Sequence, residues 1–146
     1  MPLVARIADA IAARLNGQTF DPPFAAIRTY APILEVGATD GLYVAVTWSH
    51  YENNAIAEGI DSGEYTLEVH VRQHLADDTN ATADRLTDLV DAIKRSLLGQ
   101  YLDDPAAGAT CTQATTELDP AALYETRQYD AVLTLTYQVI GNEADA

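Results

Sequence analysis

The sequence predicts a single α+β domain, a twisted and mainly antiparallel sheet of about five strands with two helices packed on one face, in the order α-β-β-β-α-β-β. Three observations predict it. The stretch from Arg127 to Val139 alternates as a strand does, with Tyr129, Ala131, Leu133, Leu135, Tyr137 and Val139 on one face and Asp130, Thr134, Thr136 and Gln138 on the other. Two other stretches carry apolar residues at helical spacing. No internal repeat or low-complexity linker divides the 146 residues, a length that suits one domain spanning 1–146.

The elements follow in order. Val4, Ile7, Ala8, Ile11 and Leu15 form the stripe of a helix of about four turns, with Pro2 suited to its start and Asn16-Gly17 to its end. Asp21-Pro22-Pro23 makes a rigid, extended entry to a strand over Phe24 to Tyr30, and Pro32 makes the far end of that strand an edge or a bend. Asp40-Gly41 signals a turn before the strand Leu42 to Trp48, which has high β propensity.

Residues 49–63 then read as a long acidic loop, too long for a tight hairpin. From Tyr51 to Glu64 this region contains Glu52, Glu58, Asp61 and Glu64 and no base, together with Asn53-Asn54, Gly59 and Gly63. Long loops inside compact domains are usually functional or disordered. Glu64 to Leu75 is the next strand. Tyr65, Leu67, Val69 and Val71 face one way, and Glu68, His70, Arg72 and His74 face the other.

Asp77, Asp78 and Thr79 offer N-caps for a second helix, whose stripe is Leu86, Leu89, Val90, Ile93 and Leu97. Asp84 and Asp88 lie toward its start and Lys94 and Arg95 near its end, the arrangement that the helix dipole favours. Gly99 is its stop, with Tyr101 and Leu102 extending the packing. Residues 103–108 form a loop, Thr110 to Leu118 a Thr-rich strand, and Asp119-Pro120 the start of a connection. The last strand should close the fold with its apolar face under the helices. Residues 141–146 read as a frayed tail.

Composition limits the function. Hydrophobic residues make up 48% of the chain, enough for a proper core, and 22 acids against 8 bases give a net charge of -14. Lys94 is the only lysine. Binding nucleic acid by counterion release needs clustered Lys and Arg, so a DNA-gripping role is disfavoured, while a wall past which DNA slides is not. The single cysteine, Cys111, excludes an internal disulfide and a Cys-based zinc site and reads as a small core or half-buried residue. Arg6, Asp9 and Arg14 interrupt the N-terminal apolar pattern, which is unlike a signal peptide. No stretch approaches the roughly 20 apolar residues of a membrane span. These features suit a soluble protein made in a reducing cytoplasm, with no membrane partner.

The search for chemistry finds no constellation. His70 and His74 share a strand face about 13 Å apart, too far for one metal to bridge, and read as surface histidines. Ser49 and His50 are strand neighbours that point to opposite faces, so they form no nucleophile–base pair. There is no Gly-rich phosphate loop, H-E-x-x-H or G-x-S-x-G. Trp48 and the eight tyrosines lack the basic interleaving that marks base stacking. The expectation is a protein that is not an enzyme, has no cofactor and no metal, and acts through its surfaces.

In segment order the chain resembles the tail terminator (minor tail, gpU-like, tail completion) proteins of long-tailed bacteriophages and prophages. The resemblance runs from ARIADAIAARLN through PFAAIRTYAPIL, LYVAVTW, EYTLEVHVRQHL and DRLTDLVDAIKRSLL to YETRQYDAVLTLTYQV. RIADAIAARLN and the closing Arg-Gln-aromatic strand are its most specific parts, and residues 49–63 match least well.

The resemblance implies a non-enzymatic virion protein whose α+β protomer assembles into a hexameric ring. Such a ring sits on the completed tail tube, ends its polymerisation and offers the surface to which the head docks. Its partners would be sister subunits, the tail tube protein and a head completion or connector protein, with DNA passing through the channel without specific binding. It would reside in the virion tail after assembly in the host cytoplasm, and like-charge repulsion could keep the free protein monomeric. The alternatives are another head-tail connector or neck protein, and a small-molecule-binding α+β domain. The interface residues expected from the sequence are Tyr51, Glu52, Glu58, Asp61 and Glu64 in the acidic stretch, and Thr134, Thr136 and Gln138 on the outer face of the last strand.

Overall fold

The computed structural model describes residues 1–32, 41–76, 80–103 and 108–142, with residues 141 and 142 described by their backbone alone. Helix α1 (Leu3–Asn16) forms on the predicted stripe, and Val4, Ile7, Ala8, Ile11 and Leu15 are all buried. The Pro2 carbonyl accepts the Ala5 and Arg6 N–H groups at 3.1 Å, and a proline loses nothing at a helix start, where its N–H would be unpaired. At the other end the Asn16 amide bonds the Ala26 backbone in both directions, donating to its carbonyl at 3.0 Å and accepting from its N–H at 2.7 Å. The helix end is thereby tied to the first strand.

That strand, β1 (Ala26–Arg28), is shorter than the expected Phe24 to Tyr30. Phe24 stacks on Phe20 instead, with ring centroids 5.2 Å apart. β1 lies at the sheet edge and pairs parallel with β2 (Tyr43–Ala57), Ala26 opposite Val44 and Arg28 opposite Val46, so the sheet is mixed. β2 runs antiparallel to β3 (Ile60–His74) along its whole length.

The acidic loop expected at 49–63 is therefore a correction: both strands continue through it and meet at a Glu58-Gly59 turn. Gly59 has φ 76, a conformation that favours glycine. Two register shifts, between Trp48 and His50 and between Ala55 and Ala57, break the alternation by which a strand is recognised.

Helix α2 (Asn80–Leu97) buries its expected stripe, Leu86, Leu89, Val90, Ile93 and Leu97. The capping expected at 77–79 lies outside the described residues. Gly99 ends the helical path with φ 76, and its N–H donates to the Cys111 carbonyl at 2.9 Å. Leu102 is buried, whereas Tyr101 is exposed.

β4 (Thr110–Leu118) matches the expected strand, but a short helix, α3 (Pro120–Thr126), fills what the sequence suggests is a plain connection. Asp119 caps it by accepting the Ala122 N–H at 3.2 Å, and Arg127 ends it in the left-handed conformation, φ 54.

β5 (Gln128–Asn142) lies between β3 and β4 in the order β1-β2-β3-β5-β4. The strand expected to close the fold is thus an interior strand, and the sheet stays open. Gly141 and Asn142, expected in a frayed tail, pair with Asp61 and Ile60, while 143–146 lie outside the described residues.

The core is one cluster between the sheet and the helices. Tyr65, Leu67, Val69 and Val71 of β3 and Tyr129, Ala131, Leu133, Leu135 and Tyr137 of β5 are buried against α1 and α2, as the alternation predicts. Cys111 is buried there too, facing the Tyr137 hydroxyl.

Candidate functional site

Two surfaces stand out, the outer sheet face and an arm formed where the sheet outruns its helices. Cross-strand pairing sets the rows of the outer face. Glu64 lies opposite Gln138, Thr66 opposite Thr136, and Glu68 opposite Thr134. Glu52 joins the first row by pairing with Glu64. Five of the expected interface residues, Glu52, Glu64, Thr134, Thr136 and Gln138, are thus brought onto one contiguous polar face. Tyr51 and Asp61 lie on the other face of the arm, and Glu58 sits in the turn.

Toward the β1 end the outer face is not solvated as its composition suggests. His70 is only 6% exposed and Arg72 4%, which corrects the surface-histidine reading. Alternation identifies the face of a residue but not what covers it. Charge-assisted bonds hold the pair in place. Arg72 Nε donates to Asp130 Oδ1 at 3.1 Å, and Arg72 Nη2 donates to His70 Nδ1 at 3.1 Å. A guanidinium has no acceptor, so His70 Nδ1 must carry a lone pair. The ring proton is then on Nε2, which donates to Glu68 Oε1 at 2.9 Å. Thr47, beside this row, donates its hydroxyl to the Tyr30 carbonyl at 3.4 Å.

The arm comprises the ends of β2, β3 and β5 beyond the helices. From Ser49 to Ala57 every residue of β2 is exposed, including Tyr51, which lies over the buried Tyr65 at the edge of the core. The side facing the helices is ordered by Tyr51 and Tyr65, stacked with centroids 5.6 Å apart, and by the Tyr65 hydroxyl, which donates to Asn53 Oδ1 at 3.1 Å. Burial first, and then the charge of Asp61, push the Tyr65 hydroxyl above its ordinary value.

Gly63 makes room for this arrangement. A Cβ there would meet the Tyr65 ring and come within 2.7 Å of Asn53 Oδ1. Ile56, Ile60 and Ile140 are exposed at the arm end, and among the described residues no ion pair joins Glu52, Glu58, Asp61 or Glu64 to a base.

Two stretches of sheet edge carry no further strand among the described residues, β2 beyond Trp48 and β4 from Gln113 to Leu118. Such edges are templates for pairing with another chain. Among the described residues, no group of three or more His, Cys, Asp or Glu is placed to hold a metal ion, and no helix is long and apolar enough to cross a membrane. A cleft of about 220 Å³ lies between α2 and α3, lined by Ala83, Thr87, Leu118, Leu123 and Tyr129 among others.

No protein-family model matches the chain, and no curated protein matches its sequence. The fold does have a counterpart. A chain in the structure of the virion of a native gene transfer agent particle superposes with a TM-score of 0.50 at 14% identity, covering 94% of this chain and 94% of that chain. The likeness thus spans the whole α+β unit.

Proposed function

We propose that this chain is a structural protein of a phage-like virion that caps the tail tube as a ring, ends tube polymerisation and presents the surface to which the head docks. The observation that carries an assembly role is the arm. Nine consecutive strand residues, Ser49 to Ala57, are all exposed, and their contact with the core is the Tyr51 ring on Tyr65. Ordering a strand without burying it costs conformational entropy that a lone protomer does not recover, whereas a neighbour lying against it would supply the missing burial.

A virion role is supported by the fold shared with a chain of a gene transfer agent virion, and the tail position by the segment-by-segment resemblance to tail terminators. On this reading the chain works without catalysis or a cofactor. It forms a homo-oligomer, a hexamer by the resemblance, against the tail tube protein on one side and a head completion or connector protein on the other. The net charge of -14 per subunit suits a channel wall that repels DNA and lets it pass. The protein would reside in the virion tail after assembly in the host cytoplasm.

The second reading, another connector or neck protein, draws on the same likeness, because a shared virion fold does not distinguish positions along the head-tail axis. A small-molecule-binding domain is less favoured, since the clefts of about 330 and 340 Å³, one against the β4–β5 edge at Glu117 to Val132 and one at the end of α1, are accompanied by no sequence motif of converging catalytic or phosphate-binding groups. The test is to add purified protein to polymerising tail-tube protein. Tubes capped at one end support the proposal. Unaltered growth with no density at the ends refutes it, and binding to DNA-filled heads instead of tails selects the connector reading.

A further inference from the structure

We infer that the acidic arm of one copy docks on the basic end of α2 in the next, so that ring formation is head-to-tail; the inference rests on the proposed ring. The arm cannot be its own partner. Glu52, Glu58, Asp61 and Glu64 have no base among them from Tyr51 to Glu64, and the β5 stretch beside them, Thr136 to Asn142, has none either. Two arms packed together would set like charges against each other over the exposed Ile60 and Ile140. The contact must therefore be between different surfaces.

The chain has a matching surface. Lys94 and Arg95 lie in the last turn of α2; Lys94 sits 3.7 Å from Asp91 on its own helix, while Arg95 is exposed with no acidic partner among the described residues. Next to them are two exposed apolar side chains, Leu98 at 41% and Tyr101 at 69%. Leu98 and Tyr101 bridge to Cys111 and Thr110, so this patch lies at the start of β4. In the order β1-β2-β3-β5-β4 the start of β4 is one edge, the β2 side of the hairpin beyond Trp48 is the opposite edge, and Glu64 lies between them, one strand from Thr110 through Gln138. Each copy thus presents an acidic apolar hairpin whose β2 edge is free and, at the β4 edge, a separate basic apolar patch. A contact between unlike surfaces of identical copies closes into a ring when its rotation allows. The isoleucines, Leu98 and Tyr101 supply the burial, and the charges select the partner and the direction.

Charge reversal tests this with three variants: Glu58→Lys with Glu64→Lys, Lys94→Glu with Arg95→Glu, and all four together. The readout is mass in solution over a concentration series at low salt, with the melting temperature as the control for folding. Wild type should self-associate, and each double reversal should weaken association at least tenfold. Mixing the two double-reversed proteins, or combining all four changes in one chain, should restore it. Reversed proteins that associate as wild type does, a mixture that stays dissociated, or a wild type that stays monomeric at the highest concentration would each overturn the inference. Tube capping is scored separately. Wild type that caps tubes while the reversals change nothing leaves the proposed function standing without this interface. Association through these surfaces without capping does the opposite.

Discussion

Arg72 and Asp130 face each other directly across the β3–β5 ladder and are joined by a bond of 3.1 Å from guanidinium to carboxylate, although they lie on the face away from the helices. The other arm of the same guanidinium fixes the ring of His70. Removing a buried charged partner strands the groups that faced it. Arg72→Met should therefore cost about 3 kcal/mol in urea denaturation. Arg72→Lys should recover little of that, because a lysine cannot serve Asp130 and His70 with one planar fork.

The same contact assigns a tautomer. Because Arg72 donates to Nδ1, His70 should carry its proton on Nε2. Long-range ¹H–¹⁵N spectra of the histidine rings check this at neutral pH. A signal of the Nδ1–H form for His70 would contradict the geometry, and in Arg72→Met the preference should weaken.

In the core, the Tyr137 hydroxyl has no strong partner, only the Cys111 thiol nearby. Burial pushes both groups above their ordinary values of 10.0 and 9.0. A group whose folded value is raised stabilises the fold fully below its unfolded value and loses that contribution as pH rises past it. Stability should therefore hold to about pH 9 and fall beyond it as the unfolded chain ionises. Tyr137→Phe should change stability at pH 7 by less than about 1 kcal/mol and remove part of the alkaline decline, as thermal melts across pH would show.

Gly63 should tolerate little. A side chain there would push the Tyr65 ring off the strand and break its bond to Asn53. Gly63→Val should cost roughly 1–3 kcal/mol and loosen the Tyr51–Tyr65 stack, visible as lost protection of the arm amides in hydrogen exchange. Ile140→Ser, at an exposed site, should stay within about 0.5 kcal/mol of wild type in stability while weakening assembly.

Most of the fold was legible in the residues, because two periodicities carry it. The stripes of α1 and α2 and the alternation of β5 each follow from one face meeting one core. The remaining elements lack that signal. Ser49 to Ala57 buries no side chain, so nothing in it alternates, and the bulges near Trp48 and Ala55 shift what pattern there is.

The short α3 had its marks in Asp119 and Pro120, but seven residues show no period. Burial of His70 and Arg72 could not be read from alternation, which places both on the face away from the helices. Of the expected interface residues, Glu64 and Gln138 could be placed together only once the β3–β5 register was known.

The most direct test of the central claim is the length of tails assembled without this chain, measured by electron microscopy of particles from which the protein is withheld. The tubes should then be of uncontrolled, excessive length with no heads attached, and return to a single length when the protein is added back. Tails of normal length joined to heads in its absence would contradict it.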